Sequence, residues 1–333
     1  MSVVACAILP TKDIYEEGLR ILTMRFLHAG EVDESLLRMV SANVRVPDET
    51  TGDLWAQVSC CRALGAHLKA LLDETGVDLD EFSAEVIGRT ERAMRTAIAD
   101  IPDGTYRYAV ENDGPQDFPG GVVHIECAVT IDADQLLVDY AGSSEQVDLA
   151  VNVVPTYTFA YTAYALKTLL APWIPNAQGS FTPISVTAPE GSILNPRYPA
   201  STGSRAMMGP LLPAAVYGAL SQVIPDRVQA AAGAPSSAVQ LASRGGERRY
   251  VLNAFIGAGQ GASENMHGAS AISFPSNLSN APIEVLENLA PIVVLHRSIR
   301  PESGGGGRCF FGESHSKCGR GLEWRRKRCP WAS

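Results

Sequence analysis

The hydrophobic period of this chain changes from helical to strand spacing near residue 102, and that change constrains the fold more than any motif does. From Asp33 to about Ile101 the apolar residues recur every three or four positions, the spacing of helix faces. "DESLLRMVSANVR" predicts a short amphipathic helix ending before Pro47. A second helix carries Leu54, Val58, Cys61, Leu64, Leu68 and Leu71 on one stripe. A third carries Leu79, Phe82, Val86, Met94, Ala97, Ile98 and Ile101, and its start, "DLDEF", suits the positive end of a helix dipole. After "PDG" at 102–104 the period becomes two. "TYRYAVEN", "VVHIECAVTID" and "QLLVDYAGS" predict strands, and the "DAD" turn makes 122–143 a hairpin. Alternation of this kind belongs to antiparallel strands with one wet face.

Beyond the hairpin, "PTYTFAYTAYALKTLLAPW" (155–173) and "GPLLPAAVYGALSQVIP" (209–225) are apolar around most of a helical circumference and predict buried helices. "ISVTAPEGSILNP" predicts a strand followed by turns, "RRYVLNAFIGAG" a strand, and 281–301 a short helix and then a strand. A helical block (1–101) followed by a mixed, partly antiparallel sheet with buried helices (102–308) is an α+β chain, with both parts in one domain.

Composition excludes several classes. No apolar run reaches the length of a membrane span, and the first residues lack the basic segment and cleavage site of a signal peptide. A net charge of −9 argues against a nucleic-acid-coating protein. The seven cysteines are odd in number and irregular in spacing. That pattern fits reduced thiols of a cytoplasmic protein better than a disulfide framework.

The motifs are individually weak. "GAGQGA" (257–262) follows a strand but is followed by polar "SENMHGAS" rather than a helix, so a tight backbone turn beside a pocket outweighs a dinucleotide site. "SGGGGR" (303–308) lacks the Lys-Ser/Thr of a phosphate loop; its N–H groups could cradle an anion, and a plain turning loop competes. Cys309, His315, Cys318 and Cys329 lack paired zinc knuckles, and "RRKR" (325–328) reads as a solvated tail. His267, beside Ser263, Glu264 and Asn265, is a weak general acid/base candidate that competes with a surface histidine. His28 and His67 fall on loop or helix, and His124 and His296 on strands. Glu16, Glu17 and Arg20 form either a substrate clamp or an i,i+4 ion pair. Asp139, Ser143, Ser144 and Asn152 surround a strand end, as pocket-lining groups or ordinary turn residues.

Taken in order, nine stretches resemble the hydantoinase B/5-oxoprolinase family, which includes subunits of acetone and acetophenone carboxylases. They are "DIYEEGLRI" (13–21), "SANVRVPDETTGDLWAQVSCCRALGAHL" (41–68), "ERAMRTAIADIPDGTYRY" (91–108), "LLVDYAGSSEQVDLAVNV" (136–153), "FTPISVTAPEGSILNPRYPA" (181–200), "GALSQVIPDRV" (218–228), "FIGAGQGA" (255–262), "PSNLSNAPIEVLE" (275–287) and "IRPESGGGGR" (299–308). The resemblance implies a subunit of an ATP-dependent cyclic amide or imide hydrolase, opening 5-oxoproline or a hydantoin, with a hydantoinase A-type partner that binds ATP. It also admits a ketone carboxylase subunit, or an inactive fragment acting as a scaffold. It implies Glu17, Arg20, Gly257, Gly259, Gly261, Asn280 and Glu284 as substrate-pocket candidates.

The family's divalent metal is expected on a His-His/Asp-type motif that precedes "EGLRI" in its members and has no counterpart here, so neither metal nor ATP is expected on this chain alone. "LTMRF" stands where members carry a Pro pair. After Arg308 the pattern gives way to "CFFGESHSKCGRGLEWRRKRCPWAS", which reads as a frameshifted, disordered tail (309–333), and the whole as an internal fragment.

Overall fold

The computed structural model describes residues 10–115, 117–233, 236–243, 249–276, 278, 280–305 and 322–326. A two-residue ladder, β1 (Leu27–His28) with β2 (Glu31–Val32), leads into three helices. In α1 (Glu34–Asn43) the Asp33 side chain accepts from the amides of Ser35 and Leu36, satisfying two of the donors a helix start leaves open. Pro47 opens α2 (Pro47–Thr75), where its missing N–H costs nothing, and Gly76 closes it in the left-handed conformation with φ 64°. Asp78 caps α3 (Leu79–Ala99) as "DLDEF" suggests, at 2.9 Å from the amides of both Asp80 and Glu81.

Burial divides the helices in a way the period alone does not show. The inner half of α3 buries Met94, Ala97 and Ile98, while Leu79 and Phe82 at its outer end stay exposed. In α2 only Val58 is buried; Leu64 and Leu71 are 67% and 54% exposed. The stripe on α2 is therefore not part of the core, because the rest of this chain packs against the first half of the helix through α1 and leaves the second half in solvent.

The central sheet runs in the order β3 (Gly104–Asp113), β4 (Val122–Asp132), β5 (Gln135–Asp139) and β6 (Ile184–Thr187). The first three strands are antiparallel; β6 joins parallel to β5, pairing Leu136 with Ile184. On β4, Val123, Ile125, Cys127, Val129 and Ile131 face inward, while His124 and Glu126 face out. The buried face meets α3, α4 (Pro155–Leu170) and α5 (Leu211–Leu220), so one core joins the helical block to the sheet. On α5, Gly218 is where Tyr108 of β3 comes closest: a Cβ there would overlap the ring. Lys167, buried near the end of α4, donates to the carbonyls of Ala171 and Ile174 and closes the helix.

A second, smaller core holds Leu241, Tyr250, Leu252, Ala254, Leu286, Ala290 and Ile292. It is built by the antiparallel pair β7 (Ser236–Ala242) and β8 (Val251–Gly257), by α6 (Ile283–Leu289) and by β9 (Ile292–Arg297). Where the sequence suggests a tail without structure, Leu322–Arg326 pairs antiparallel with β9 as β10, a short Gly- and Pro-free run on an otherwise open strand edge. The remainder of the tail, 309–321 and 327–333, lies outside the described residues, as do the candidate zinc residues Cys309, His315, Cys318 and Cys329.

Candidate functional site

The first described residues form a strap across the loop that follows β6. Asp13 bridges Ala200, the Ile14 amide donates to the Pro199 carbonyl at 2.8 Å, and the Ser201 amide donates to the Lys12 carbonyl at 3.3 Å. Glu17 is the fastener. One of its carboxylate oxygens accepts from the Ser201 hydroxyl and from the amides of Thr202 and Gly203. Ser201 is fully buried, and with its proton committed to Glu17 its oxygen accepts from the Thr11 hydroxyl at 2.6 Å. Gly18 then turns the chain at φ 141°, a conformation side chains resist, so that Arg20 can leave the strap in another direction.

Arg20 does not pair with Glu16 or Glu17. Its Nη1 donates to the Tyr198 hydroxyl at 2.7 Å, and its guanidinium carbon lies 5.6 Å from the Tyr15 ring centroid and 5.3 Å from that of Tyr198. The two rings meet edge to face at 6.2 Å and their hydroxyls are hydrogen bonded. Tyr15 and Tyr198 are 62% and 64% exposed, so this cluster presents its polar edge to solvent. The Tyr198 phenol is held below its ordinary pKa, first by the Tyr15 hydrogen bond and then by Arg20, with desolvation opposing. Tyr15 is pushed up, first by its bond to Tyr198. Of the two alternatives at this segment, the i,i+4 ion pair is therefore not formed. Sequence reasoning does not single out Tyr15 or Tyr198; the one usable signal is an aromatic between two prolines and an arginine in "NPRYPA".

The pinned loop leads to a cavity. The Ser204 amide donates to the Ala150 carbonyl at 2.8 Å, Arg205 stacks 5.3 Å from the centroid of Tyr157, and Met207 lines a cavity of about 240 Å³. Glu111, Asn112 and Tyr217 line it as well, and the backbone run Gln229–Gly233 forms a wall. Burial foremost pushes the Tyr217 phenol up to about 12, and its hydroxyl bonds Thr168 at 3.0 Å.

The glycine loop buttresses that wall from behind. Ala230 donates to the Ala262 carbonyl at 2.8 Å and Gly233 to the Gly259 carbonyl at 3.1 Å. A Cβ on Gly261 would overlap the Ala230 carbonyl, and one on Gly257 would sit 2.8 Å from the Ala271 carbonyl. Gly257 and Gly261 are thus where two backbones pass in contact.

The other candidates lie elsewhere. His267 is exposed just past the Ser263–Met266 turn, Glu284 is exposed in the first turn of α6, and Asn280 is half-buried ahead of that helix, which packs on β8 and β9. Asn152 is fully buried and bonds the backbone of Val147, Leu149 and Ser201, while Ser143 and Ser144 accept from the amides of Glu126 and His124. These three side chains hold the loop after β5. His124 stands between Glu111 and Glu126 at 3.5 Å from each. Among the described residues no group of three or more His, Cys, Asp or Glu side chains is placed to hold a metal ion.

The chain matches the Hydantoinase B/oxoprolinase family description over residues 4–318. It is 28% identical over 308 residues to a putative D-/L-hydantoinase B-type subunit of Pseudomonas sp. (strain NS671), covering 89% of this chain and 52% of that one. The crystal structure of an ATP-dependent caprolactamase from Pseudomonas jessenii superposes with a TM-score of 0.83 at 26% identity, covering 94% of this chain and 55% of that one. A nucleotide-free acetone carboxylase gives a TM-score of 0.82 at 20% identity, covering 92% of this chain and 44% of that one, a likeness of fold alone. The chain spans about half the length of the curated hydantoinase subunit it matches.

Proposed function

The chain belongs to the hydantoinase B/oxoprolinase family, and on that premise we propose that it is part of an ATP-dependent cyclic amide hydrolase working with a hydantoinase A-type subunit. The observation that carries this reading is its match, along nine-tenths of its length, to a hydantoinase subunit and to a caprolactamase structure. Both of those proteins are named for ring amides, whereas the likeness to acetone carboxylase rests on fold at 20% identity. The hydantoinase relative is one subunit of its enzyme, which supports a partner for this chain, and the caprolactamase is ATP-dependent, which supports a nucleotide requirement. The free cysteines Cys60, Cys61 and Cys127 support a cytoplasmic setting.

A ring amide is a poor electrophile because its nitrogen donates into the carbonyl. ATP held by the partner supplies the phosphoryl group that turns the amide oxygen into a leaving group. This chain's share is to bind and orient the ring: the Arg20–Tyr198 edge offers N–H donors, and the loop pinned by Glu17 connects that edge to the cavity at Met207. The described residues offer no donor set for the family's divalent metal, so no step is assigned to one here.

The test is to mix the chain with an A-type subunit and follow phosphate release with and without 5-oxoproline, hydantoin or caprolactam. Release stimulated by a ring amide, with a ring-opened product, is the expected result. Stimulation only by acetone with bicarbonate would transfer the chain to the carboxylases. No stimulation by any of them would leave a scaffold.

A further inference from the structure

Arg20 is a cation held in place with no ion pair among the described residues. The carboxylates nearest in sequence make their hydrogen bonds to backbone and loop rather than to Arg20: Asp13 accepts from the amides of Tyr15 and Glu16, Glu16 from the Lys12 amide, and Glu17 from the loop at 201–203, with the Asp13 charge still felt at Tyr198. An exposed arginine normally samples many rotamers, and ordering one is unfavourable unless its partners hold it. Here two tyrosine rings frame the guanidinium, the Tyr198 hydroxyl accepts from Nη1 and the Tyr15 hydroxyl also interacts with the group, while a guanidinium carries five N–H donors, more than these two oxygens take up.

We propose that Arg20, framed by Tyr15 and Tyr198, is a recognition site for a carboxylate carried on the ring-amide substrate, so that this chain selects carboxylate-bearing rings over neutral lactams. The inference rests on the cyclic-amide reading above and adds the group that the substrate must carry. A planar guanidinium matches the two oxygens of a carboxylate, and a cation between aromatic faces is approached along its edge, which suits a flat group. A phosphate of higher charge usually gathers more than one cation, and the groups described around Arg20 include none beyond it. Glu17 acts in this arrangement as a positioning residue, since it holds the loop that carries Tyr198.

The experiment uses the chain assembled with its ATP-hydrolysing partner and compares 5-oxoproline with 2-pyrrolidinone, the same ring without the carboxylate. Wild type is expected to prefer 5-oxoproline. Arg20→Met is expected to raise KM for 5-oxoproline roughly 10- to 100-fold, the range of a charge-assisted hydrogen bond, and to raise it for 2-pyrrolidinone by a clearly smaller factor. Arg20→Lys, which keeps the charge but not the fork, falls between. Equal turnover of both rings by wild type, or an equal loss on both in Arg20→Met, would overturn the site while leaving the cyclic-amide activity standing. If neither ring supports turnover, the activity reading has failed and the site is judged by calorimetric titration of 5-oxoproline into the assembly. Saturable binding lost in Arg20→Met supports it, and binding that survives the substitution, or none in wild type, overturns it.

Discussion

A phenol oxygen that accepts hydrogen bonds loses its own proton more readily, because the donors stabilise the phenolate. Tyr198 is in that position and Tyr15, its donor, in the opposite one. Absorbance near 295 nm followed from pH 7 to 12 should therefore show one tyrosine titrating below the ordinary 10.0 and another above it. Tyr198→Phe should abolish the early phase, and Arg20→Met should move it to higher pH. An unchanged curve in Tyr198→Phe would refute the assignment. At this scale the sequence is half legible. "EEGLRI" stands out, yet its partners sit at 198–203, more than 170 residues away, and only tertiary structure brings them together. The glycines are legible as turn residues, but the backbone each one approaches is not.

At the scale of elements, periodicity is reliable where an element has one buried face. The helix α3 and the strands β3 to β5 are legible for that reason, and their caps and turns fall where Asp78 and Ala133–Asp134 place them. The strand β7 escapes a reading by pattern because "SSAVQLA" is small and polar, with little of the β-branched and aromatic content that marks a strand. The helix α2 misleads in the other direction: its stripe implies burial, and most of it is exposed. The two cases separate by stability. Leu71→Glu on α2 should change the unfolding free energy of this chain by less than about 0.5 kcal/mol. Leu166→Ala, fully buried on α4, should cost about 2–5 kcal/mol. Urea melts of both variants measure this, and a large loss in Leu71→Glu would show that the second half of α2 is packed rather than solvated.

For the whole molecule, the core carries acidic groups that must stay neutral. Burial pushes the Cys127 thiol up to about 12, with Glu126 and Asp139 adding to it, and holds the Tyr140 phenol well above its ordinary range. Their folded pKa values are raised, so their contribution is intact below the unfolded values of 9.0 and 10.0 and is lost as pH climbs above them. The unfolding free energy from urea melts should fall from about pH 9 upward, by roughly 1.4 kcal/mol per pH unit for each fully buried group. Cys127→Ala should flatten the segment between pH 9 and 10. A profile level from pH 8 to 11 would contradict the burial of these groups.

The strap has a further consequence for how the chain moves. Its hydrogen bonds to the loop span more than 180 residues of sequence, among the longest-range contacts in the fold, and they tie down a segment whose Tyr15, Leu22 and Met24 remain in solvent. Such a segment can open without disturbing α4 or α5, as a separate low-energy fluctuation. The amides of Thr202 and Gly203 then exchange with deuterium through strap opening, on a faster clock than those of the buried helices, and that clock is set by one glutamate.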